Sequence, residues 1–71
     1  MTKQEIAELE EKDFIDHCET AIYLDCMNTI YNPYTDEQVK LFFNESERRR
    51  GLTGKSIYSI AYKNIGRQLG Y

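Results

Sequence analysis

The chain has 71 residues, of which 41% are hydrophobic and 30% charged, and its formal net charge is −3. This hydrophobic content is too high for a disordered chain, and the longest unbroken apolar run, residues 21–24, is far shorter than the roughly 20 residues of a membrane span. The core of a 71-residue domain leaves little room to enclose a substrate or a large cofactor. The start of the chain lacks the basic and apolar regions of a signal peptide. We therefore predict a single helical domain over residues 1–71 that is cytoplasmic and is not an enzyme.

Charge is distributed unevenly along the chain. The first 37 residues carry ten acidic side chains and two basic ones, whereas residues 48–71 carry six basic side chains and no acidic one. A chain polarised in this way is expected to meet partners through electrostatics, or to meet another copy of itself head to tail. That expectation requires the positive face to stay free after folding.

The first predicted helix covers about residues 3–31. Thr2 followed by Glu5 predicts a capping box at its start. Pro33 ends the helix, because the residue before a proline avoids the α conformation. The helix either runs without interruption or breaks near residues 11–13, where acidic side chains favour a new helix start.

The apolar side chains of this helix cover more than one face. From Phe14 onward they recur at helical spacing on one broad face, and three more lie on the other side: Leu24, Met27 and Tyr31. A helix that is apolar nearly all round over residues 22–31 is expected to be covered by neighbouring helices or by a second subunit. Asp25 interrupts the broad apolar face, so its carboxylate is expected to pair with Lys55 or with one of the arginines.

The two cysteines, Cys18 and Cys26, lie eight residues apart on the first predicted helix. Their Cα atoms are then separated by about 12 Å of helical rise, which excludes a disulfide between them. Both thiols are expected to be small core residues.

Two further helices are predicted, over residues 36–50 and 56–68. Thr35 is expected to cap the first of them, and Gly51 to end it in the left-handed conformation. Its inward face is expected to consist of Val39, Phe42, Phe43 and Ser46. The last helix has an apolar stripe at helical spacing: Ile57, Ile60, Ala61, Ile65 and Leu69. No segment alternates with the period of a strand, so the predicted fold is all-α, a small bundle of three helices.

Two local patterns suggest chemistry but have simpler structural explanations. Gly54-Lys55-Ser56 resembles the end of a phosphate-binding loop, but position 49 is arginine where that motif needs glycine, and no strand precedes it. A helix cap at Thr53 or Ser56 accounts for the same residues. His17 has neighbours whose spacing matches no zinc pattern. We therefore predict no catalytic, cofactor-binding or metal-binding residue.

A basic triplet, residues 48–50, ends the second predicted helix, and two interpretations of it stay open. Cations in a last turn favour the negative end of the helix dipole, and Glu45 and Glu47 lie three or four residues earlier, where they can pair with the arginines. Alternatively, the triplet contacts a partner together with the bases that have no acidic neighbour in sequence: Lys55, Lys63 and Arg67.

The leading functional hypothesis is a protein-interaction module that binds a partner protein, modulates or inhibits it, and forms a homodimer or small oligomer. Aromatic residues, Met and Arg are enriched in the cores of protein interfaces. The residues predicted to bind the partner are Tyr23, Met27, Tyr31, Arg48, Lys55, Lys63 and Arg67. In its size, tyrosine content and lack of a catalytic constellation, the chain resembles small accessory proteins of phages and other mobile elements.

The alternative hypothesis is nucleic-acid binding through the basic C-terminal half. Tyrosines alternate there with lysine and arginine, a mixture that suits nucleic-acid backbones and acidic protein surfaces alike. The last two predicted helices have tolerable spacing for a helix-turn-helix motif. However, the second of them lacks the Asn, Gln and Arg cluster that base reading requires, and the acidic half would repel the same polyanion.

Overall fold

The computed structural model describes residues 1–27 and 33–70, and the regular structure in these parts is entirely helical. Four helices follow one another: α1 (Lys3–Ala7), α2 (Glu11–Cys26), α3 (Asp36–Thr53) and α4 (Ile57–Gln68). The predicted all-α bundle is confirmed, with four helices in place of three because the first predicted helix is divided. None of the helices in the described parts is both long enough and apolar enough to cross a bilayer.

The division of the first predicted helix lies at residues 8–10 and not at 11–13. α1 begins at the predicted capping box: Thr2 Oγ1 accepts a hydrogen bond from the Glu5 N–H at 3.2 Å, and Glu5 Oε1 accepts one from the Thr2 N–H at 2.8 Å. Glu10, with an extended backbone, is the N-cap of α2. The acidic run therefore starts the new helix one to three residues earlier than its sequence suggested.

α3 begins where predicted and ends later than predicted. Thr35 Oγ1 accepts a hydrogen bond from a backbone N–H of the first turn at 3.2 Å, which confirms the predicted cap. The prediction that Gly51 stops the helix is wrong, because the helix continues through Thr53. Gly54 has the left-handed conformation instead, with φ of +77°. Its N–H donates to the carbonyl of Arg50 at 2.8 Å and so satisfies one of the last carbonyls of α3.

The core forms where α2 packs against α4, while α3 contacts both α1 and α4. The buried apolar residues among those described are Ile6, Phe14, Cys18, Ala21, Ile22, Phe42, Ile57, Ala61 and Ile65. The rings of Phe14 and Phe42 meet edge to face with centroids 6.2 Å apart. The predicted stripe of α4 is confirmed, since three of its members are buried and Ile60 and Leu69 are partly buried against the core.

A buried serine fixes the start of α4 on α3. Ser46, 1% exposed, accepts a hydrogen bond from the Tyr58 N–H at 3.0 Å. Ser56, one of the two predicted caps, accepts a second from the Ser59 N–H at 3.4 Å. Two of the orphan N–H groups of α4 are thus satisfied, and the position of Tyr58 on the surface is set by α3.

Candidate functional site

The basic triplet is bound within the molecule. Arg48 donates two hydrogen bonds to the carboxylate of Glu45, at 2.8 and 2.7 Å, and Arg49 Nε donates a third at 2.6 Å. Arg50 Nη2 lies 3.0 Å from Glu47 Oε2. The interpretation that the arginines of the triplet pair with glutamates of the same helix is therefore confirmed. Glu45 accepts hydrogen bonds from two of them.

Arg49 also ties α3 to the junction between α1 and α2. Its Nη2 donates to the backbone carbonyls of Ile6 at 3.1 Å and Leu9 at 2.7 Å, and its guanidinium lies 4.4 Å from the ring centroid of Phe14. Only 12% of its side chain is exposed. Arg49 is thus a structural residue whose Nε and Nη2 donors are occupied inside the protein.

Glu45 is a buried carboxylate, 6% exposed, that stays ionised. Hydrogen bonds from Arg48 lower the pKa of Glu45 below its ordinary value, and the hydrogen bond from Arg49 acts in the same direction against the opposing effect of burial. The charge on Glu45 therefore neutralises part of the predicted positive face from within.

The predicted pairing of Asp25 is wrong. Lys55 Nζ lies 3.9 Å from Glu11 Oε1 on the surface, and the ion pairs among the described residues do not include Asp25. Asp25 is exposed near the end of α2 and lines an open cavity of about 390 Å³. An exposed carboxylate is open to solvation by water, so it needs no partner.

Lys63 and Arg67 differ from the other cations of the C-terminal half. They lie one turn apart on α4, both are exposed, and no ion pair within the described parts of the chain involves them. The predicted positive face is thus reduced to these two side chains, while Arg48 and Lys55 each lie beside a carboxylate.

Three aromatic side chains form a continuous surface from α3 along α4, which we call the aromatic strip: Phe43, Tyr58 and Tyr62. Ring centroids are 5.7 Å apart between Phe43 and Tyr58, and 6.2 Å apart between Tyr58 and Tyr62. The prediction that Phe43 faces inward is wrong, because 49% of it is exposed, and Tyr62 is 57% exposed. Partial burial raises the pKa of Tyr58, so its phenol stays neutral. The strip is an apolar surface that one chain leaves open.

At Tyr62 the aromatic strip meets a recess between two helices, which we call the α2–α4 groove. Its volume is about 260 Å³, and its lining is Ile22, Cys26, Tyr62, Ile65, Gly66 and Leu69. Cys26 is exposed there, contrary to its predicted place in the core, because the last turn of α2 extends beyond the buried layer. Cys18 is buried as predicted, and burial raises the pKa of its thiol to about 12.

The apolar residues predicted to bind a partner are exposed where the structure describes them. Met27 is 50% exposed and Tyr23 is 40% exposed. Tyr23 lines a neighbouring cavity that shares Ile65 with the groove. Tyr31 lies outside the described residues. From the sequence, Tyr62 was considered only as one of the tyrosines that alternate with the C-terminal bases and was not named as a partner-binding residue. Its spacing of four residues from Tyr58 would have placed both rings on one flank of a helix.

His17 takes part in packing. Its Nδ1 lies within hydrogen-bonding distance of the Tyr34 hydroxyl, at 3.0 Å, and its ring stacks on Phe42 with centroids 6.2 Å apart. Burial raises the pKa of Tyr34. In residues 1–27 and 33–70 there is no group of three or more side chains that could hold a metal ion.

The candidate site is therefore a surface that joins the aromatic strip, the α2–α4 groove and the two cations of α4. Its chemistry is apolar contact beside positive charge. Comparisons with protein-family models, curated proteins and solved structures give no match for this chain.

Proposed function

We propose that this protein is a small cytoplasmic interaction module that binds a partner protein, modulates or inhibits it, and works as a homodimer or small oligomer. Small accessory proteins of phages and other mobile elements act in this way. The main observation in support of the proposal is the exposure of the Tyr62 ring. This ring is 57% exposed at the point where the aromatic strip meets the α2–α4 groove. Exposed aromatic side chains beside an apolar recess are typical of interface hot spots.

The energetics favour a protein partner over solvent at this surface. Burying apolar surface contributes about 25 cal/mol per Å², and an aromatic side chain buries about 150–250 Å² when fully covered. Phe43 and Tyr62 each leave about half of that area open. Covering both therefore supplies several kcal/mol of binding energy, enough to anchor a complex.

Charge decides which proteins approach this surface. Lys63 and Arg67 project from α4 without carboxylate partners among the described residues, whereas Arg48 is held by Glu45. An acidic partner would be steered towards α4, because complementary charges raise association rates more than affinity. We expect Arg48 and Lys55 to contribute less to partner binding than Lys63 and Arg67, since each already has a neighbouring carboxylate.

Affinity capture with a matched pair of variants tests the proposal. Tagged wild-type protein, Tyr62→Ala and Leu52→Ala are expressed in the native host, and the captured proteins are compared by mass spectrometry. Leu52, 73% exposed at the end of α3, lies outside the strip and the groove and is the control. We expect Tyr62→Ala to lose a protein that Leu52→Ala retains. Identical captured sets for both variants would contradict the proposal.

The nucleic-acid alternative makes a different prediction for the same protein. Only two cations of α4, Lys63 and Arg67, have no ion-pair partner in the part of the chain that the structure describes. Few phosphates can therefore be neutralised, so any affinity for nucleic acid should be weak and its salt dependence shallow. Fluorescence anisotropy with mixed DNA and RNA in low salt measures this. Tight binding that falls steeply with salt and disappears in Lys63→Glu with Arg67→Glu would favour the alternative.

A further inference from the structure

We propose that the α2–α4 groove is occupied by a second copy of this chain, in a symmetric homodimer. The inference deepens the proposed function, because it assigns one partner to part of the same surface. It depends on three features of the groove: its size, the exposed ring at its edge, and the order of charges across it.

The groove suits side chains better than a small molecule. Its volume of about 260 Å³ lies below the range of about 300–1,000 Å³ in which small-molecule sites fall. Its lining is apolar apart from the thiol of Cys26 and the phenol of Tyr62. Few groups are present to orient a polar ligand, so the fitting occupant is an apolar protein surface.

The same patch offers both a recess and a projection. Tyr62 lines the groove and is the most exposed aromatic side chain in the described part of the chain. In a symmetric dimer, the interface is one patch facing its own copy, so a projection and a recess on that patch can fill each other. The exposed ring of one subunit then packs into the groove of the other.

The charged side chains next to the groove residues have opposite signs on the two helices. On α2, Glu19 lies three residues before Ile22, and on α4, Lys63 lies three residues before Gly66, so each is the helix neighbour of a groove residue. Asp16 lines the cavity beside Glu19, and Arg67 follows Lys63 by one turn. Across the surface the order is acidic, apolar, basic.

This order is self-complementary under two-fold symmetry. When two such surfaces meet about an axis that runs along the groove, the acidic wall of each subunit faces the basic wall of the other. Glu19 then pairs with the partner subunit's Lys63, and the reciprocal pair forms as well. Lys63, which has no ion-pair partner among the described residues of one chain, thus obtains a carboxylate from the second chain.

A groove-filling variant tests the proposal without weakening the fold. A Cβ added at Gly66 meets nothing within 4 Å, and Gly66 lies inside a helix, where leucine is a better residue than glycine. Gly66→Leu therefore places a side chain in the groove of a stable protein. Gly51 is the matched control, since it is a helical glycine in equally open space on α3, which does not line the groove.

Sedimentation velocity measures the outcome from low micromolar to submillimolar protein. We expect wild type and Gly51→Leu to sediment as dimers at tens of micromolar, and Gly66→Leu as a monomer with unchanged helical circular dichroism. A wild-type monomer at all concentrations, or a Gly66→Leu dimer as tight as the wild type, would overturn the proposal.

Charge reversal tests the arrangement of the two walls. Lys63→Glu places like charges opposite each other at two symmetric contacts, so we expect the dimer dissociation constant to rise about tenfold. Glu19→Lys should have a similar effect, and the double variant should recover wild-type affinity. A double variant that is no tighter than either single variant would refute the predicted pairing.

The two proposals fail in different ways. A monomeric wild type whose Tyr62→Ala variant still loses a captured host protein would refute the dimer and leave the interaction module standing. A dimer abolished by Gly66→Leu, together with no change among captured proteins, would refute the heterologous partner and leave the dimer standing.

Discussion

Arg49 joins groups from three helices, and its chemistry explains why a single side chain can do so. Its guanidinium donates to Glu45 of α3, to the carbonyl of Ile6 in α1 and to that of Leu9 beyond it, while its face lies over Phe14 of α2. A planar group with five donors and an apolar face can satisfy all of these together, which a lysine ammonium cannot. The divided N-terminal segment is held on the bundle by this residue.

Replacement of Arg49 should therefore destabilise the fold. We expect Arg49→Lys to lower the free energy of unfolding by about 1–3 kcal/mol. Arg49→Ala should lower it by about 3–5 kcal/mol, because Glu45 keeps a buried charge with one fewer partner. Urea unfolding followed by circular dichroism measures the first change. The loss of helical circular dichroism in buffer measures the second, because its expected size approaches the whole stability of a domain of this size. Arg50→Ala is the control, since its exposed pair with Glu47 contributes less than about 1 kcal/mol.

Glu45 gives the stability of the protein a defined dependence on pH. Its pKa in the folded protein lies below the ordinary value of 4.5, so the ionised carboxylate stabilises the fold above that value. The contribution is lost as the pH falls through the lowered pKa of the folded state, where the carboxyl takes up a proton.

Glu45→Gln should remove this dependence. At neutral pH we expect the variant to be less stable by roughly 1–3 kcal/mol. The difference from wild type should shrink as the pH is lowered from about 4.5. Urea unfolding across this range measures it, with Glu47→Gln as the exposed control. A difference that stays constant down to acid pH would contradict the role of the ionised form.

At the scale of the helices, α3 shows how two glycines divide their roles. Thr53 Oγ1 donates to the carbonyl of Arg49 at 2.9 Å and accepts from the Lys55 N–H at 3.2 Å, so the last turn is bonded on both sides. The left-handed residue therefore comes after Thr53, at Gly54, and Gly51 keeps a helical backbone. The arginine triplet is thereby set one turn back from the end of α3.

Alanine at the two positions should have opposite effects. Gly54→Ala must adopt a left-handed conformation, so we expect it to destabilise the protein by roughly 1–2 kcal/mol. Gly51→Ala should stabilise it by up to about 1 kcal/mol, because alanine is the better helix residue and its Cβ meets open space. Thermal unfolding of both variants measures the difference. Equal destabilisation by both would mean that α3 ends at Gly51.

At the scale of the whole molecule, two adjacent phenylalanines of α3 lie in different environments, one in the core and one on the exposed aromatic strip. Phe42 is fully buried against Phe14 and Tyr34, whereas Phe43 is half exposed on the aromatic strip. A domain of this size is held by only about 3–5 kcal/mol, so the loss of one core ring is comparable to its whole stability.

Alanine substitutions at Phe42 and Phe43 should therefore differ in their effect on stability. Phe42→Ala costs about 3–5 kcal/mol and should leave the chain largely unfolded, with collapsed dispersion in its proton NMR spectrum. Phe43→Ala should cost about 0.5–1.5 kcal/mol, the strength of its ring contact with Tyr58, and remain folded. Phe42→Leu is the conservative control for the core. A folded Phe42→Ala protein would contradict the assignment of Phe42 to the core.

Most of the fold could be predicted from local patterns in the sequence. The capping box at Thr2, the cap at Thr35 and the stripe of α4 are all found where the spacing predicted them. The candidate site was harder to predict from the sequence, because Phe43 was expected inside and Tyr62 was not named among the partner-binding residues. A helical period shows that a residue lies near the boundary of an apolar face, but the neighbouring helix decides whether it is covered.

The sequence by itself determined the helical class, because the apolar spacing is helical throughout. It also determined the starts of α1 and α3 and two of the ion pairs of the arginine triplet, because these contacts join residues at most four apart. Tertiary structure alone decided that Arg49 binds the α1–α2 junction and that Lys55 lies beside Glu11. It also decided that Lys63 and Arg67 have no ion-pair partner among the described residues. The physical reason is that the environment of a charge is set by every group within a few ångströms, and folding brings those groups from distant parts of the chain.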